Sequence, residues 1–224
     1  MSLCFKRLFY YKTDRLEIFY VYIYKLESDI AMNKKNVTLP IFPLPVFLLP
    51  DGVTKLRIFE PRYLKMVSLA SSGQGFVIWL NDSSINTDDE DSIRQWGSWV
   101  DIINFDKGDD GVLEIDVKCK CLVSIYSIVH DKDNLHFGDV SHIEHWSEVH
   151  VDKVNGELST SLATVFSENK GLNDLYPKKT LNDSHWVLAR WLEILPIELN
   201  VKNAFVVSYS FKEAKNFVES IILR

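Results

Sequence analysis

Residues 56–63 read Leu-Arg-Ile-Phe-Glu-Pro-Arg-Tyr, and they place a strand directly before a helix. Leu56 and Ile58 alternate as in a strand with one buried face. The pair Glu60-Pro61 predicts a helix start, because proline is tolerated in the first turn and an acidic side chain is favoured near the positive end of the helix dipole. Apolar residues then follow with helical spacing at Tyr63, Leu64, Val67 and Ala70.

The chain before this stretch is rich in proline. Residues 39–44 read Leu-Pro-Ile-Phe-Pro-Leu, and each proline fixes its own φ and pushes the preceding residue out of the helical region. Residues 37–44 are therefore predicted to form an edge strand or the first strand of a sheet. Pro50-Asp51-Gly52 predicts the turn that leads into the strand at 54–58. After the helix, residues 75–80 predict another buried strand.

Two long strands are predicted next, at 94–103 and 113–125. In the first, Trp96, Val100 and Ile102 share a face, so Trp99 is expected on the opposite and mostly polar face, directed outward. In the second, odd-numbered apolar residues alternate with polar ones from Leu113 to Ile125. This alternation predicts that Cys119 and Cys121 lie together on the apolar face.

Beyond residue 150 the apolar spacing changes from two residues to 3.6, which predicts helices. The second of them is expected to begin after Asn182-Asp183, both good capping residue types, and to end at Pro196. The four predicted helices are marked by Leu158 to Phe166, by Val187 to Leu195, by Asn200 as a cap through Val207, and by Phe211 to Ile222. The pattern thus predicts a mostly β unit followed by a helical unit.

The charge of the chain argues against nucleic acid as a partner. The whole chain carries −6, but residues 1–35 hold seven Lys/Arg against four Asp/Glu, which leaves −9 for the remainder. An acidic body without a basic cluster repels phosphate backbones. The apolar runs are short and broken by proline, so no membrane span is expected. Three cysteines make no secreted disulfide framework, and we expect a reducing, cytoplasmic location.

The first 31 residues differ in composition from the rest. They are crowded with aromatic side chains and contain no glycine or proline. We expect Met32 to be the natural start, with residues 1–31 an extra segment from an upstream start assignment. The alternative is a genuine N-terminal strand, for which residues 17–26 have the composition.

Three groups of residues invite a metal-binding interpretation, and each has a more ordinary one. Cys119 and Cys121 lack a second pair at zinc-site spacing, so they are interpreted as small core residues. Residues 88–91 read Asp-Asp-Glu-Asp, which is typical of a solvated loop. The histidines at 142, 145 and 150 are interpreted as part of a strand end and linker. No metal and no cofactor is therefore expected.

Three segments, in this order, resemble the N-terminal substrate-binding domain family of the Lon protease. The first joins residues 39–44 to residues 56–63, and the second joins Trp96-Gly97-Ser98 to the strand at 113–125. The third is Trp-Leu-Glu-Ile-Leu-Pro-Ile-Glu-Leu at 191–199. The similarity runs from about residue 37 to 223. The chain departs from the family pattern at Cys119 and Leu122, where the family usually has Gly and Arg.

The resemblance implies an α+β fold, a PUA-like β pseudo-barrel followed by a small helical bundle. The β domain is expected over residues 32–147 and the helical subdomain over 148–224. The phosphate-binding loop and the Ser/Lys pair of full-length Lon are not found in this chain, nor is a Gly-x-Ser-x-Gly elbow. No catalytic residue is therefore expected, and the chain is interpreted as a stand-alone binding relative rather than an enzyme.

By analogy with the family, the expected ligand is unfolded or tagged polypeptide, or a protein partner, with no membrane. The alternative is an RNA- or nucleotide-binding PUA-like module. Exposed apolar residues are expected to make the binding surface, and a packing role for Trp99 stays open beside it. The candidate binding residues are Trp99, Phe42 and Leu44. The residues expected to fix the helix start are Phe59, Glu60, Pro61, Arg62 and Tyr63. Among them, Glu60 and Arg62 are expected to form a structural ion pair. The sequence sets no oligomeric state.

Overall fold

A computed structural model describes residues 37–80, 95–146 and 153–223 of the chain. These residues form six strands and six helices. The strands are β1 (Val37–Pro43), β2 (Val53–Ile58), β3 (Phe76–Trp79), β4 (Trp96–Lys107), β5 (Leu113–His130) and β6 (His136–Ile143). The helices are α1 (Pro61–Ala70), α2 (Gly156–Glu168), α3 (Lys170–Leu175), α4 (Ser184–Ile194), α5 (Leu199–Asn203) and α6 (Phe211–Ile222).

Five of the strands close into a barrel. The order is β1-β3-β4-β5-β6, and β6 returns to pair with β1. The pairing of β1 with β3 is parallel, and the other pairings are antiparallel. Closure matters because a closed sheet has no unpaired edge along the strands that form it. The first of the described strands, β1, thus belongs to the barrel and is not an edge strand of the sheet.

The eighteen-residue strand β5 serves two sheets in succession. Along one side of β5, its first part pairs with β2 and its last part pairs with β6. Along its other side, β5 pairs with β4. Between these parts the register against β4 shifts, since Trp99 faces Cys121 while Val100 faces Cys119. Lys120 is the extra residue of this bulge. A bulge reverses which face successive side chains occupy.

The reversal corrects the expectation that the odd residues of β5 share one face. Cys119 belongs to the large core between the barrel and the helices, whereas Cys121 packs against the cluster that fills the barrel. The two thiols therefore lie on opposite sides of the sheet. Both remain small residues in apolar surroundings, and burial raises the pKa of each.

The core has two parts, and their composition shows how the barrel is attached to the helices. A small cluster fills the barrel, and its buried members are Leu39, Ile41, Val77, Val123, Ile125 and Val140. A far larger cluster joins the outer face of the barrel to α1 and to the C-terminal helices. Because this second cluster takes residues from strands and helices alike, the two layers depend on each other for burial.

The helical unit forms much as its sequence predicts, with two differences. Asp183 caps α4 through its side chain, which accepts a hydrogen bond from the backbone of His185 at 2.9 Å. Helix α5 begins at Leu199 and ends at Asn203, so Asn200 lies inside the helix and is not its cap. The six-residue helix α3 was not predicted, because it is short and contains Gly171.

The expected α+β fold, with a β barrel followed by helices, is confirmed. Strand β6 was not among the predicted strands, since residues 136–143 alternate weakly. The proposed boundary at 147/148 and the segment 1–31 both lie outside the described residues, and those divisions stay predictions.

Candidate binding surfaces

The surface around α1 carries the most exposed large apolar side chain among the described residues. Phe59 is 71% exposed, directly before the Glu60-Pro61 helix start. On the helix itself, Leu64 is 44% and Leu69 is 43% exposed. Leu64 was expected inside because of its spacing, but the buried face of α1 is made by its neighbours Tyr63, Met66, Val67 and Ala70. We call Phe59, Leu64 and Leu69 the α1 surface.

Ion pairs hold the helix beneath this surface in place. Arg62 donates to Glu60 at 2.8 Å, which confirms the expected structural pair at the helix start. The Arg62 guanidinium also lies 4.7 Å from the centre of the Tyr63 ring. One turn further, Lys65 pairs with Asp131 at 2.6 Å and with Asp133, both in the turn after β5. The α1 surface is therefore presented by an anchored helix.

Trp99 does not point outward, and its placement follows from barrel closure. The face of β4 that looked polar in the sequence turns into the barrel, and the half-buried indole packs against the cluster that fills it. Its Nε1 donates to the carbonyl of Gln74 at 2.7 Å, and the Lys120 ammonium lies 4.9 Å from the ring centre. These contacts place Trp99 at the end of the barrel, away from the helical unit.

The other two candidate binding residues lie in the core. Phe42 is 9% exposed, and its ring meets the Tyr63 ring edge-on at 4.5 Å between centroids. Leu44 is half-buried against the same core. Strand β6 pairs with β1 along residues 37–41 and β3 pairs with it along residues 41–43, so β1 offers a polypeptide no edge that is free along its full length. The structure therefore does not bring Trp99, Phe42 and Leu44 together into one exposed surface.

A buried polar joint connects the barrel to helix α4, and sequence reasoning missed it. Arg190, which is 1% exposed, donates to the carbonyl of Pro50 at 3.0 Å and pairs with Glu193 at 2.6 Å. Glu193 in turn accepts from the backbone N–H of Leu49 at 2.7 Å. The joint thus ties the Pro50-Asp51-Gly52 turn to the Trp-Leu-Glu segment, two motifs that the sequence had singled out separately.

The electrostatics of the joint follow from burial. Desolvation raises the pKa of Glu193 even though Arg190 lies against it, and desolvation lowers the pKa of Lys202, whose ammonium donates to the Glu193 carbonyl at 3.2 Å. The hydroxyl of Tyr176, whose pKa is also raised by burial, accepts from the backbone N–H of Val53 at 2.7 Å. Breaking the buried Arg190–Glu193 pair would leave an unpaired charge in the core. The pair therefore fixes the geometry of the Pro50-Asp51-Gly52 turn.

Within 37–80, 95–146 and 153–223, no group of three or more His, Cys, Asp or Glu side chains could hold a metal ion. The acidic run at 88–91 and the histidine at 150 lie outside those ranges. Among the same residues, no helix combines the length and apolar character needed to cross a bilayer.

Comparison with known proteins identifies the fold as a familiar one. The family model of the ATP-dependent protease La (LON) substrate-binding domain matches residues 38–203. The chain belongs to this family. The match covers all three segments on which the resemblance rests, and it ends at Asn203, before α6, instead of reaching residue 223. No curated protein matches the chain.

Solved structures of LON N-terminal domains share the architecture. One is a Lon N-terminal domain protein from Xanthomonas campestris, at 26% identity with a TM-score of 0.57, covering 79% of this chain and 95% of that one. Another is the N-terminal domain of the Lon protease from the Mycobacterium avium complex, at 11% identity with a TM-score of 0.52, covering 82% of this chain and 97% of that one. At 11% identity, the similarity to the second structure shows a shared fold and nothing more.

Proposed function

We propose that this LON substrate-binding domain binds unfolded or tagged polypeptide, or an exposed segment of a protein partner, without cutting it. The observation that carries the proposal is the α1 surface. Apolar side chains as large as Phe59 are costly to leave in water, and exposed apolar residues before and along an anchored helix are typical of a surface that a partner covers. The family's printed description, a substrate-binding domain, supports the same function.

The chemistry of the surface favours polypeptide over nucleic acid. Outside residues 1–35 the chain carries −9, so its body repels phosphate groups. The free thiols of Cys119 and Cys121 support a reducing compartment such as the cytoplasm. The chain supplies the binding step, and any cleavage of the bound polypeptide belongs to a separate ATP-dependent protease.

Fluorescence anisotropy with labelled, intrinsically unfolded β-casein tests the proposal. The variants Phe59→Ser and Leu64→Ser should each weaken binding about fivefold or more, because each removes an apolar anchor. Tyr209→Ser is the matched control, since Tyr209 is 63% exposed but lies on the loop before α6. Equal binding by wild type and both α1 variants would overturn the assignment of this surface.

Two further measurements test the rest of the proposal. Casein incubated with the pure protein, with and without ATP, should stay intact; ATP-dependent fragments would show that the chain is a protease. A single-stranded RNA at low salt should leave the protein's electrophoretic mobility unchanged. A shift with RNA but not with casein would replace the polypeptide function by the nucleic-acid one.

A further inference from the structure

A pocket of about 130 Å³ opens where the Pro50-Asp51-Gly52 turn, the chain after β6 and the first turn of α4 meet. Its apolar walls include Pro50, Trp146 and Trp186. The two indoles are 4% and 6% exposed, so they are held in place by the core and do not project freely. Asp51 and Asp183 supply the carboxylates of the pocket. The pocket thus combines apolar indole walls with two carboxylates.

Each carboxylate of the pocket has one oxygen engaged and one available. Asp51 uses Oδ1 to pair with Lys118 at 2.6 Å. Asp183 uses Oδ1 to accept from the backbone N–H groups of His185 and Trp186. Across the described ranges of the chain, the Oδ2 atoms of both residues make no hydrogen bond and no ion pair. The two side chains are 60% and 48% exposed, so these oxygens face solvent and can accept hydrogen bonds from a ligand.

His145, which also lines the pocket, adds no positive charge to it. The Nδ1 of His145 lies 2.8 Å from the carbonyl of Val206, so Nδ1 carries the proton and Nε2 is the acceptor. Burial lowers the pKa of His145 to about 4, which keeps the ring neutral. The nearest buried cation, Arg190, is paired with Glu193 at 2.6 Å. The pocket therefore offers carboxylate oxygens and apolar indole surface to its occupant.

The backbone at this pocket is unusual as well. In the described part of the chain, three residues other than glycine have positive φ, and two of them line the pocket: Asp51 at 63° and Trp146 at 44°. Left-handed backbone is unfavourable for a bulky residue such as tryptophan, and strain of this kind collects at functional sites. The strained backbone of Trp146 sets its ring against the pocket.

We propose that this pocket binds a lysine side chain of a polypeptide, with its ammonium group at Asp51 and Asp183 and its methylene stem against the indoles. The inference rests on the proposed polypeptide function and names the side chain that this second surface selects. An ammonium group donates three hydrogen bonds, and its charge strengthens those that the carboxylates accept. The unbranched stem suits a narrow apolar wall. An anionic side chain would face two carboxylates, so it is excluded.

The test uses two small probes with the full chain. Nα-acetyl-lysine methylamide carries the ammonium group, and Nα-acetyl-norleucine methylamide keeps the apolar stem without it. Binding is followed by NMR titration of the indole N–H signals of Trp146 and Trp186. The lysine probe should shift both signals in a saturable way that weakens with added salt, and the norleucine probe should bind at least about tenfold more weakly.

The variants Asp51→Asn and Asp183→Asn remove the charges while keeping the local structure. Asparagine tolerates positive φ at position 51 and is an equally good helix cap at position 183. Each should therefore keep the thermal midpoint close to that of wild type and lose about tenfold in affinity for the lysine probe. Asp109→Asn, in the turn between β4 and β5, is the control for a general loss of negative charge and should bind as wild type does.

The outcomes separate this inference from the proposed function. Equal affinity for the two probes, or wild-type affinity in both Asn variants, would overturn the lysine assignment. β-Casein binding that depends on Phe59 would in that case leave the polypeptide function standing. Conversely, lysine-probe binding that both Asn variants lose, with no β-casein binding at all, would uphold the pocket as a primary-ammonium site and overturn the polypeptide function.

Discussion

Gly52 shows how closely the turn after the proline-rich strand fits the helix that covers it. A Cβ atom at this position would lie 2.4 Å from Oε1 of Glu193 and 2.8 Å from the carbonyl oxygen of Leu49. The same Glu193 oxygen accepts hydrogen bonds from the Leu49 backbone and from Arg190. The glycine therefore leaves room for the Glu193 carboxylate. Because two donors already hold this carboxylate, it cannot move aside freely for a larger residue at position 52.

The substitution Gly52→Ala should lower the free energy of unfolding by about 2 kcal/mol or more, because the added methyl group must displace the Glu193 carboxylate or the turn. Urea unfolding measures the change. Gly156→Ala is the matched control, since nothing lies within 4 Å of a Cβ atom there and the residue begins a helix. A Gly52→Ala protein as stable as the control would show that the joint is loose.

At the scale of elements, the chain after β6 is fastened to the loop between α5 and α6. His145 shares a hydrogen bond with the carbonyl of Val206 at 2.8 Å, and Trp146 donates to the carbonyl of Phe205 at 3.1 Å. The two rings stack with centroids 4.3 Å apart. Because β6 is a barrel strand and α6 closes the helical unit, this contact adds a second connection between the layers, beside the joint at Arg190.

The hydrogen bond between the buried His145 and the carbonyl of Val206 should make the free energy of unfolding depend on pH. His145 has a pKa of about 4 when folded against 6.5 in its ordinary state, so the unfolded chain binds the proton more readily. Stability from this group is complete above pH 6.5 and falls as the pH drops toward 4, by at most about 1.4 kcal/mol per pH unit. His145→Asn keeps a donor but cannot titrate, so its urea midpoint should fall less between pH 6.5 and 4.

The exposed His130 provides the control for that comparison. His130→Asn, at the end of β5 and outside the contact, should lose stability toward pH 4 more steeply than His145→Asn does. If His145→Asn lost stability toward pH 4 as steeply as wild type, another group would be the source of the dependence.

On the scale of the whole molecule, the large core is shared between the barrel and the helices. Ile115 and Val117 of β5 belong to the same cluster as Phe166 of α2 and Leu188 of α4. Neither layer can bury these side chains alone. The barrel's own cluster is much smaller, with six buried members, and a core of that size contributes little stability by itself.

The described part of the chain should therefore unfold in one transition. Far-UV circular dichroism, which reports on the helices, and tryptophan fluorescence should give the same urea midpoint. Phe166→Ala should lower both midpoints together, with a cost of about 3–5 kcal/mol, although residue 166 lies in the helical unit. Two separated transitions, or a fall in the circular dichroism midpoint alone, would show that the layers fold independently.

Local sequence signals predicted most of the elements and where most of them begin and end, but not β6 or α3. Prolines forced the extended strand β1, Glu60-Pro61 started α1, and Asp183 capped α4, because each of these effects acts through the residue's own backbone or its nearest hydrogen bonds. The family resemblance rested on the same segments. Phe59 lies within the segment 56–63, but its exposure follows from packing and not from spacing.

Tertiary structure alone decided which faces are inside. Closure of the barrel turned the apparently polar face of β4 inward and brought Trp99 with it, and the bulge at Lys120 separated Cys119 from Cys121. Both are long-range effects, since strand pairing joins residues far apart in sequence and a one-residue shift reverses every side chain after it. The buried Arg190–Glu193 pair and the pocket beside α4 arise for the same reason: their parts come from segments about 140 residues apart.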